Sequence, residues 1–270
     1  MARDLTDQVI VITGASSGIG AATAAACARA GMDVVLSGRN AARLDDVARQ
    51  VRATGRGAET IAGDITDAGL NTRLLDAAAA RFGRFDVVLA NAGYGFKRPM
   101  HETDEAELRR IFEVNFFAAS ALLCEAARRL IAARRRGHLL MTSSAVAKFT
   151  LVNFGAYSAT KAAQNHVCRA LRLELRPHGI EVSSVHPITT RTEFFRRADE
   201  YVGQPADPAL PFGRAPAWFT QPSERVAAAI VRCLRRPVPE VWTSFTTRLA
   251  AGLMTIFPRL ADTIGHRVGE

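Results

Sequence analysis

The chain has 270 residues, 48% hydrophobic and 23% charged, with 35 Lys and Arg against 26 Asp and Glu for a formal charge of +9. That length suits one large α/β domain, and the apolar share supplies a buried core and excludes an intrinsically disordered chain. The charge alone would admit an anionic partner. However, only Lys97, Lys148 and Lys161 are lysines, the densest cluster is the short run Arg134 to Arg136, and no nucleic-acid-binding motif accompanies it, which predicts a solvated basic surface and no nucleic-acid partner.

Cys27, Cys124, Cys168 and Cys233 lie far apart, without Cys-x-x-Cys spacing or a Cys/His cluster, and predict reduced core thiols and no metal site. Met1-Ala2-Arg3-Asp4 lacks a signal-like apolar stretch, and no run reaches the roughly 18 apolar residues that would span a bilayer. The expectation is a cytoplasmic protein with no transmembrane segment.

In chain order, apolar runs of strand length fall at 9–13, 34–37, 59–62, 86–90, 138–142 and 182–186, each followed by an Ala/Leu/Arg-rich stretch of helical length. Strands alternating with helices predict right-handed βαβ units and a doubly wound parallel sheet. Runs such as Val-Ile-Val-Ile suit strands buried on both faces. No repeat or low-complexity linker interrupts the pattern until the Pro- and Gly-rich segment 203–216, which follows the sixth strand and reads as a substrate lid within 192–222. The expected organisation is one domain over 1–244 and an apolar, helical tail over 245–270.

After the first strand comes Thr13-Gly14-Ala15-Ser16-Ser17-Gly18-Ile19-Gly20, leading into a helix. Glycines let the backbone turn tightly against a pyrophosphate, and the helix start offers free N–H groups and a positive dipole. Strand, turn and helix together predict a dinucleotide site. The second strand ends Ser37-Gly38-Arg39: glycine stands where an NAD-binding fold carries an acid for the ribose 2′-hydroxyl, and an arginine follows. A guanidinium can grip a 2′-phosphate in bidentate fashion, so NADP(H) is preferred over NAD(H), the alternative being a surface Arg39 at the start of the next helix.

Tyr157 and Lys161 stand four residues apart in a long helical stretch, on one face. Bringing a phenol from about 10 to near 7 takes about 4 kcal/mol of differential stabilisation, part of which an ammonium one turn away supplies. Tyr157 can then exchange a proton with a substrate oxygen.

With these motifs in order, the chain resembles the short-chain dehydrogenase/reductase family, of Rossmann type, over about 9–244. The resemblance assigns Gly14, Ser16, Ser17, Gly18, Ile19 and Gly20 to the cofactor turn, Asp64 and Ile65 to the adenine, and Asn91, Ala92 and Gly93 to the cofactor cleft. It implies that Asn115 sustains a water-mediated proton relay to Lys161, and that Ser144, thirteen residues before Tyr157, bonds the substrate oxygen, with Ser143 as the neighbouring rival. Pro187 and Thr192 are implied nicotinamide contacts, but Ile188 replaces the family glycine and puts the local backbone path in question. The implied reaction is hydride transfer between nicotinamide and a carbonyl or alcohol carbon, with Tyr157 as acid or base, Lys161 on the ribose, and a homodimer or homotetramer as the expected assembly.

Tyr94, Phe96, Phe149, Phe154, Phe194, Phe195, Trp218 and Phe219 predict an apolar substrate cleft for a lipophilic ketone, aldehyde or secondary alcohol, the alternative being lid core or subunit contacts. The tail, with Arg248, Arg259 and Arg267, reads as packed on the domain or a partner, or as a peripheral membrane contact. A catalytically silent NADP-binding sensor or scaffold is the competing function; a sugar-nucleotide epimerase or dehydratase would call for a longer C-terminal domain and different glycine spacing.

Overall fold

The computed structural model describes residues 2–191, 194, 220–259 and 261–263. Its centre is a seven-stranded parallel sheet of order β3-β2-β1-β4-β5-β6-β9, built from β1 (Val9–Thr13), β2 (Asp33–Gly38), β3 (Ala58–Ala62), β4 (Val87–Ala90), β5 (Gly137–Thr142), β6 (Ile180–His186) and β9 (Glu240–Trp242). The six strands anticipated from sequence are present. The seventh, β9, is three residues long and follows Pro237 and Pro239, too short for its pattern to stand out. A separate parallel pair joins β7 (Thr190–Arg191) to β8 (Gln221–Pro222).

Alternation along the strands divides the core into two layers. Ile10, Ile12, Val34, Leu36, Val87 and Leu89 pack on one face with α1 (Gly18–Arg29), α2 (Ala41–Arg52) and α7 (Ser223–Arg235). Val9, Val11, Val35, Val88 and Met141 pack on the other with α3 (Leu70–Phe82), α5 (Ala118–Ala132) and α6 (Gly155–Leu175). Every residue of β1 is buried, as a strand covered on both sides must be.

The winding reverses between β1 and β4, and the crevice of such a sheet lies beyond the carboxyl ends of its strands at that switch point. Beside it, α4 (Glu105–Phe112) runs into α5 through a π turn at Glu113–Phe117. Asp104 starts α4 with a reciprocal capping box to Glu107. The tail begins with α8 (Phe245–Ile256), capped by the Ser244 hydroxyl accepting from the Thr247 N–H. This helix buries only Ala251 and bonds the domain through Thr255 Oγ1 to the Lys148 carbonyl at 3.2 Å, leaving Phe245, Leu249, Leu253 and Ile256 exposed. No helix among the described residues is long and apolar enough to cross a membrane. The same residues hold no cluster of three or more His, Cys, Asp and Glu that could bind a metal ion.

Candidate active site

The turn after β1 is shaped by close backbone approaches. Gly14 adopts φ +64°, and a Cβ there would meet the Ala92 Cα at 2.9 Å; a Cβ on Gly20 would sit 2.3 Å from the Gly14 carbonyl oxygen. Both positions are therefore closed to any side chain. Helix α1 begins at Gly18 after Ser17, whose side chain caps no helical N–H, and its first turn carries no acid. An uncapped helix start behind a glycine cradle suits a pyrophosphate, so this turn fits the nucleotide anticipated from sequence. Ser16 Oγ lines the turn beneath Gly38, 3.2 Å from where a Cβ on that glycine would stand. The Ile19 side chain packs against the core on the α1 face.

Strand β4 delivers the opposite wall. Thr13 Oγ1 accepts from the backbone N–H groups of Asn91 (3.0 Å) and Ala92 (3.1 Å), while Asn91 Nδ2 donates to the Thr13 carbonyl at 3.1 Å. Asn91 Oδ1 accepts from Thr142 Oγ1 at 3.0 Å, tying β1, β4 and β5 together at their carboxyl ends. Gly93 lies against the Asn115 amide, 2.9 Å from its Oδ1 measured from a Cβ position.

Beyond β2 and β3 sit Arg39 and Asp64. Arg39 is exposed and precedes Asn40, whose side chain caps α2, so the arginine lies outside the helix. Burial pushes the Asp64 carboxyl up, but its bonds from Thr66 N and Oγ1, with Arg39 and Arg110 nearby, outweigh that and hold it below the usual carboxylate value. Ile65 belongs to the core beside Leu70 and Leu74.

The residues anticipated to carry the chemistry converge where β5 and α6 meet. Lys161, 4% exposed, donates from Nζ to the Thr142 carbonyl (2.9 Å) and to Gln164 Oε1 (3.0 Å), and its Nζ lies 5.4 Å from the Tyr157 ring centroid. Burial alone drives the Lys161 ammonium down to about 7. Packing around the phenol raises Tyr157 above its ordinary value, and a hydrogen bond with Ser144 offsets part of that rise. The tyrosine is thus displaced upward overall.

The two serines are separated by their partners. Ser143 Oγ, buried, donates to the Lys161 carbonyl at 2.8 Å and ties β5 to α6, whereas the Ser144 hydroxyl meets the Tyr157 phenol and accepts from the Val146 N–H at 3.4 Å. Asn115 sits in the π turn: its Nδ2 donates to the Tyr94 carbonyl (2.8 Å) and Thr160 Oγ1 (3.1 Å), and its Oδ1 accepts from the Tyr94 N–H (3.0 Å). π turns of this kind recur at functional sites. The Asn115 carbonyl accepts from Gln164 Nε2.

Sequence reasoning passed over two of these residues. Gln164 follows Lys161 by three, a helical neighbour, and its polarity at a buried position was the available signal. His186 ends β6; its Nδ1 meets the Ser144 carbonyl at 2.9 Å, its Nε2 meets Ser184 Oγ at 2.9 Å, and its ring stacks on Trp242 at 4.6 Å. Nothing in the sequence pairs it with a serine 42 residues away.

The Ile188 departure is absorbed. Ile188 is not among the residues with positive φ, so the position requires no glycine, and its carbonyl accepts from Thr190 Oγ1 at 2.8 Å. The Pro187 carbonyl accepts from the Ala145 N–H at 3.1 Å, holding this segment against the serine turn. Thr192, the lid at 203–216, Phe195, Trp218, Phe219 and Arg267 lie outside the described residues. Of the aromatics, Phe194 lies 5.5 Å and Phe154 6.4 Å from the Tyr157 ring, while Phe96 is buried with Ile111 and Ala156 and is core, not cleft lining.

A family model described as short chain dehydrogenase matches residues 8–202. An uncharacterised oxidoreductase of Mycobacterium tuberculosis (strain CDC 1551 / Oshkosh) is 33% identical over 259 residues, 95% of each chain. Cis-4-hydroxycyclohexanecarboxylate dehydrogenase of Sinomonas cyclohexanicum is 37% identical over 232 residues, 85% of this chain and 90% of its own. A short chain dehydrogenase from Mycobacterium paratuberculosis, solved bound to NAD, superposes with a TM-score of 0.76 at 25% identity, over 91% of this chain and 100% of its own. With a family model over most of the chain and a relative 33% identical over nearly all of it, the chain belongs to the short-chain dehydrogenase/reductase family of oxidoreductases.

Proposed function

We propose that the protein moves a hydride between NADP(H) and a lipophilic carbonyl compound or secondary alcohol, with Tyr157 as the proton-exchanging residue. The observation that carries this reading is the contact chain from Ser144 to the Tyr157 phenol to the Lys161 ammonium, packed beside a nucleotide cradle. Bound nicotinamide supplies the carbon that gives or takes the hydride. In reduction Tyr157 Oη delivers a proton to the substrate oxygen as the carbonyl carbon receives the hydride; in oxidation it takes that proton back. Ser144 donates to the same oxygen and steadies its developing charge. Two of the three Lys161 N–H donors are held by protein oxygens, which leaves one for the nucleotide ribose and aims the positive charge at the phenol. That charge and the nicotinamide's own together oppose the burial that raises the tyrosine.

Arg39 supports NADP(H): it is exposed beyond β2, outside α2, and its field reaches Asp64 in the adjacent loop. NAD(H) is the second reading, favoured by the NAD complex of the mycobacterial relative. The Sinomonas relative's name places a cyclic secondary alcohol among the substrates to try first. A spectrophotometric screen of NADPH and NADH against cyclic and aromatic ketones, aldehydes and secondary alcohols tests the proposal. Turnover of such a compound, lost in Tyr157→Phe, is the expected outcome. Nucleotide binding with no turnover of any of them would favour a silent sensor instead.

A further inference from the structure

Helix α6 carries Tyr157, Lys161 and Gln164 at intervals of four and three, so all three share one face. Gln164 is 1% exposed, and both ends of its amide are engaged: Oε1 accepts from Lys161 Nζ at 3.0 Å, and Nε2 donates to the Asn115 carbonyl. Chemistry fixes which way the amide lies. An ammonium only donates and a carbonyl only accepts, so a flipped amide would set donor against donor and acceptor against acceptor. The Asn115 carbonyl stands in the π turn, and the Asn115 side chain is itself held by Tyr94 and Thr160. The glutamine is therefore braced at its far end by a different element from the one that carries it.

Lys161 has few other neighbours of its kind. From β5 it meets the Thr142 carbonyl, and Ser143 bonds its backbone; from the β4 loop, Gly93 lies close to its Nζ; from its own helix comes the Tyr157 ring. No carboxylate counters its charge among these, and burial is the one cause that displaces its titration. A neutral acceptor that bonds the ammonium more strongly than the uncharged amine then favours the charged form.

We infer that Gln164 is a positioning residue for the reaction, its amide holding the Lys161 ammonium in place beside Tyr157 and anchoring it to the Asn115 carbonyl. A side chain thereby spans the gap that the family resemblance assigns to a water. This inference rests on the proposed roles of Tyr157 and Lys161.

The chain's three lysines make the test direct. Full-length, nucleotide-free protein labelled with ¹³C at lysine Cε gives three titrating signals, with that of Lys161 assigned by its loss in Lys161→Arg. Gln164→Met keeps the length of the side chain but neither bond, and is expected to lower the Lys161 midpoint by about one pH unit, a tenfold change in its proton affinity. Gln164→Glu sets a carboxylate against the ammonium and is expected to move the midpoint the opposite way; having the same size as glutamine, it also carries the test should the Met variant fail to fold. The acid limb of kcat/KM for alcohol oxidation is expected to move toward higher pH in the Met variant, because a less protonated lysine supports the phenolate less.

Opposite shifts in the two variants support the bridge, since a merely structural role would not produce a change of sign. Lys161 midpoints within about 0.3 unit of wild type in both variants would overturn it. Lysine midpoints that shift while the kcat/KM profile stays in place would leave the bridge standing and remove Lys161 from the proposed mechanism.

Discussion

The two walls of the crevice are built by different means. The glycine-turn side, from β1 into α1, is shaped by backbone, and its key positions lack side chains: a Cβ at Gly14 or Gly20 would run into main-chain atoms. The opposite side, where β5 meets α6, is shaped by buried polar side chains: Asn115, Ser143, Lys161 and Gln164 are each at most 4% exposed, and each is hydrogen-bonded. A backbone cradle tolerates almost no substitution at its glycines. A side-chain network can be taken apart one group at a time, with graded effects.

The two walls are expected to respond differently to substitution. Tyr157→Phe is expected to lower kcat by about 10³-fold while nucleotide affinity, measured by fluorescence titration, stays within about threefold. Gly20→Ala forces a Cβ onto the Gly14 carbonyl and is expected to weaken nucleotide binding by about 100-fold, about 3 kcal/mol, with a fall in Tm alongside. Ser144→Ala is expected to cost about 10²-fold in kcat, whereas Ser143→Ala costs stability, about 1 kcal/mol in urea unfolding, with kcat changed by less than about threefold. Equal kinetic losses in the two serine variants would erase the distinction between a serine in the reaction and one in the scaffold. Arg39→Asp is expected to shift the NADPH-to-NADH ratio of kcat/KM by about tenfold or more toward NADH.

The last expected effect lies in acid stability. Burial lowers His138 to about 3 and His186 to about 4, below the unfolded value near 6.5. The unfolded chain therefore binds more protons between those values. Stability is complete above about 6.5 and falls as pH drops toward 4, and a His138→Gln variant is expected to flatten part of that decline in thermal scans.

Much of this was legible in the sequence because it rests on local rules. Six strands announced themselves as apolar runs before helical stretches. The glycine turn was readable because its need for missing side chains leaves a gap in residue type at fixed spacing. Ser144 could be preferred to Ser143 on spacing to Tyr157, although the reason Ser143 is unavailable, its bond to the Lys161 carbonyl, is a contact between elements that no local pattern encodes. Gln164 and His186 were hidden for the same cause: each acts through a partner brought near by folding, 49 residues away for Gln164 and 42 for His186. Phe96 misled because aromatic residues near a cleft and aromatic residues beneath it look alike in a sequence.

The last strand bears on where the chain can be trimmed. Trp242 stacks on His186, which grips the carbonyl of Ser144, and Glu240 accepts from both Trp242 Nε1 (3.0 Å) and Lys148 Nζ (2.7 Å), the lysine lying just past the serine turn. Glu240 and Trp242 at the rim of the sheet thus buttress the serine turn, which follows the strand two places inward. A deletion series from the carboxyl terminus should meet its functional cliff at β9: removal of residues beyond Ser244 takes the Thr255 bond to the Lys148 carbonyl but leaves the Glu240 and Trp242 contacts, while loss of those two slackens the serine turn.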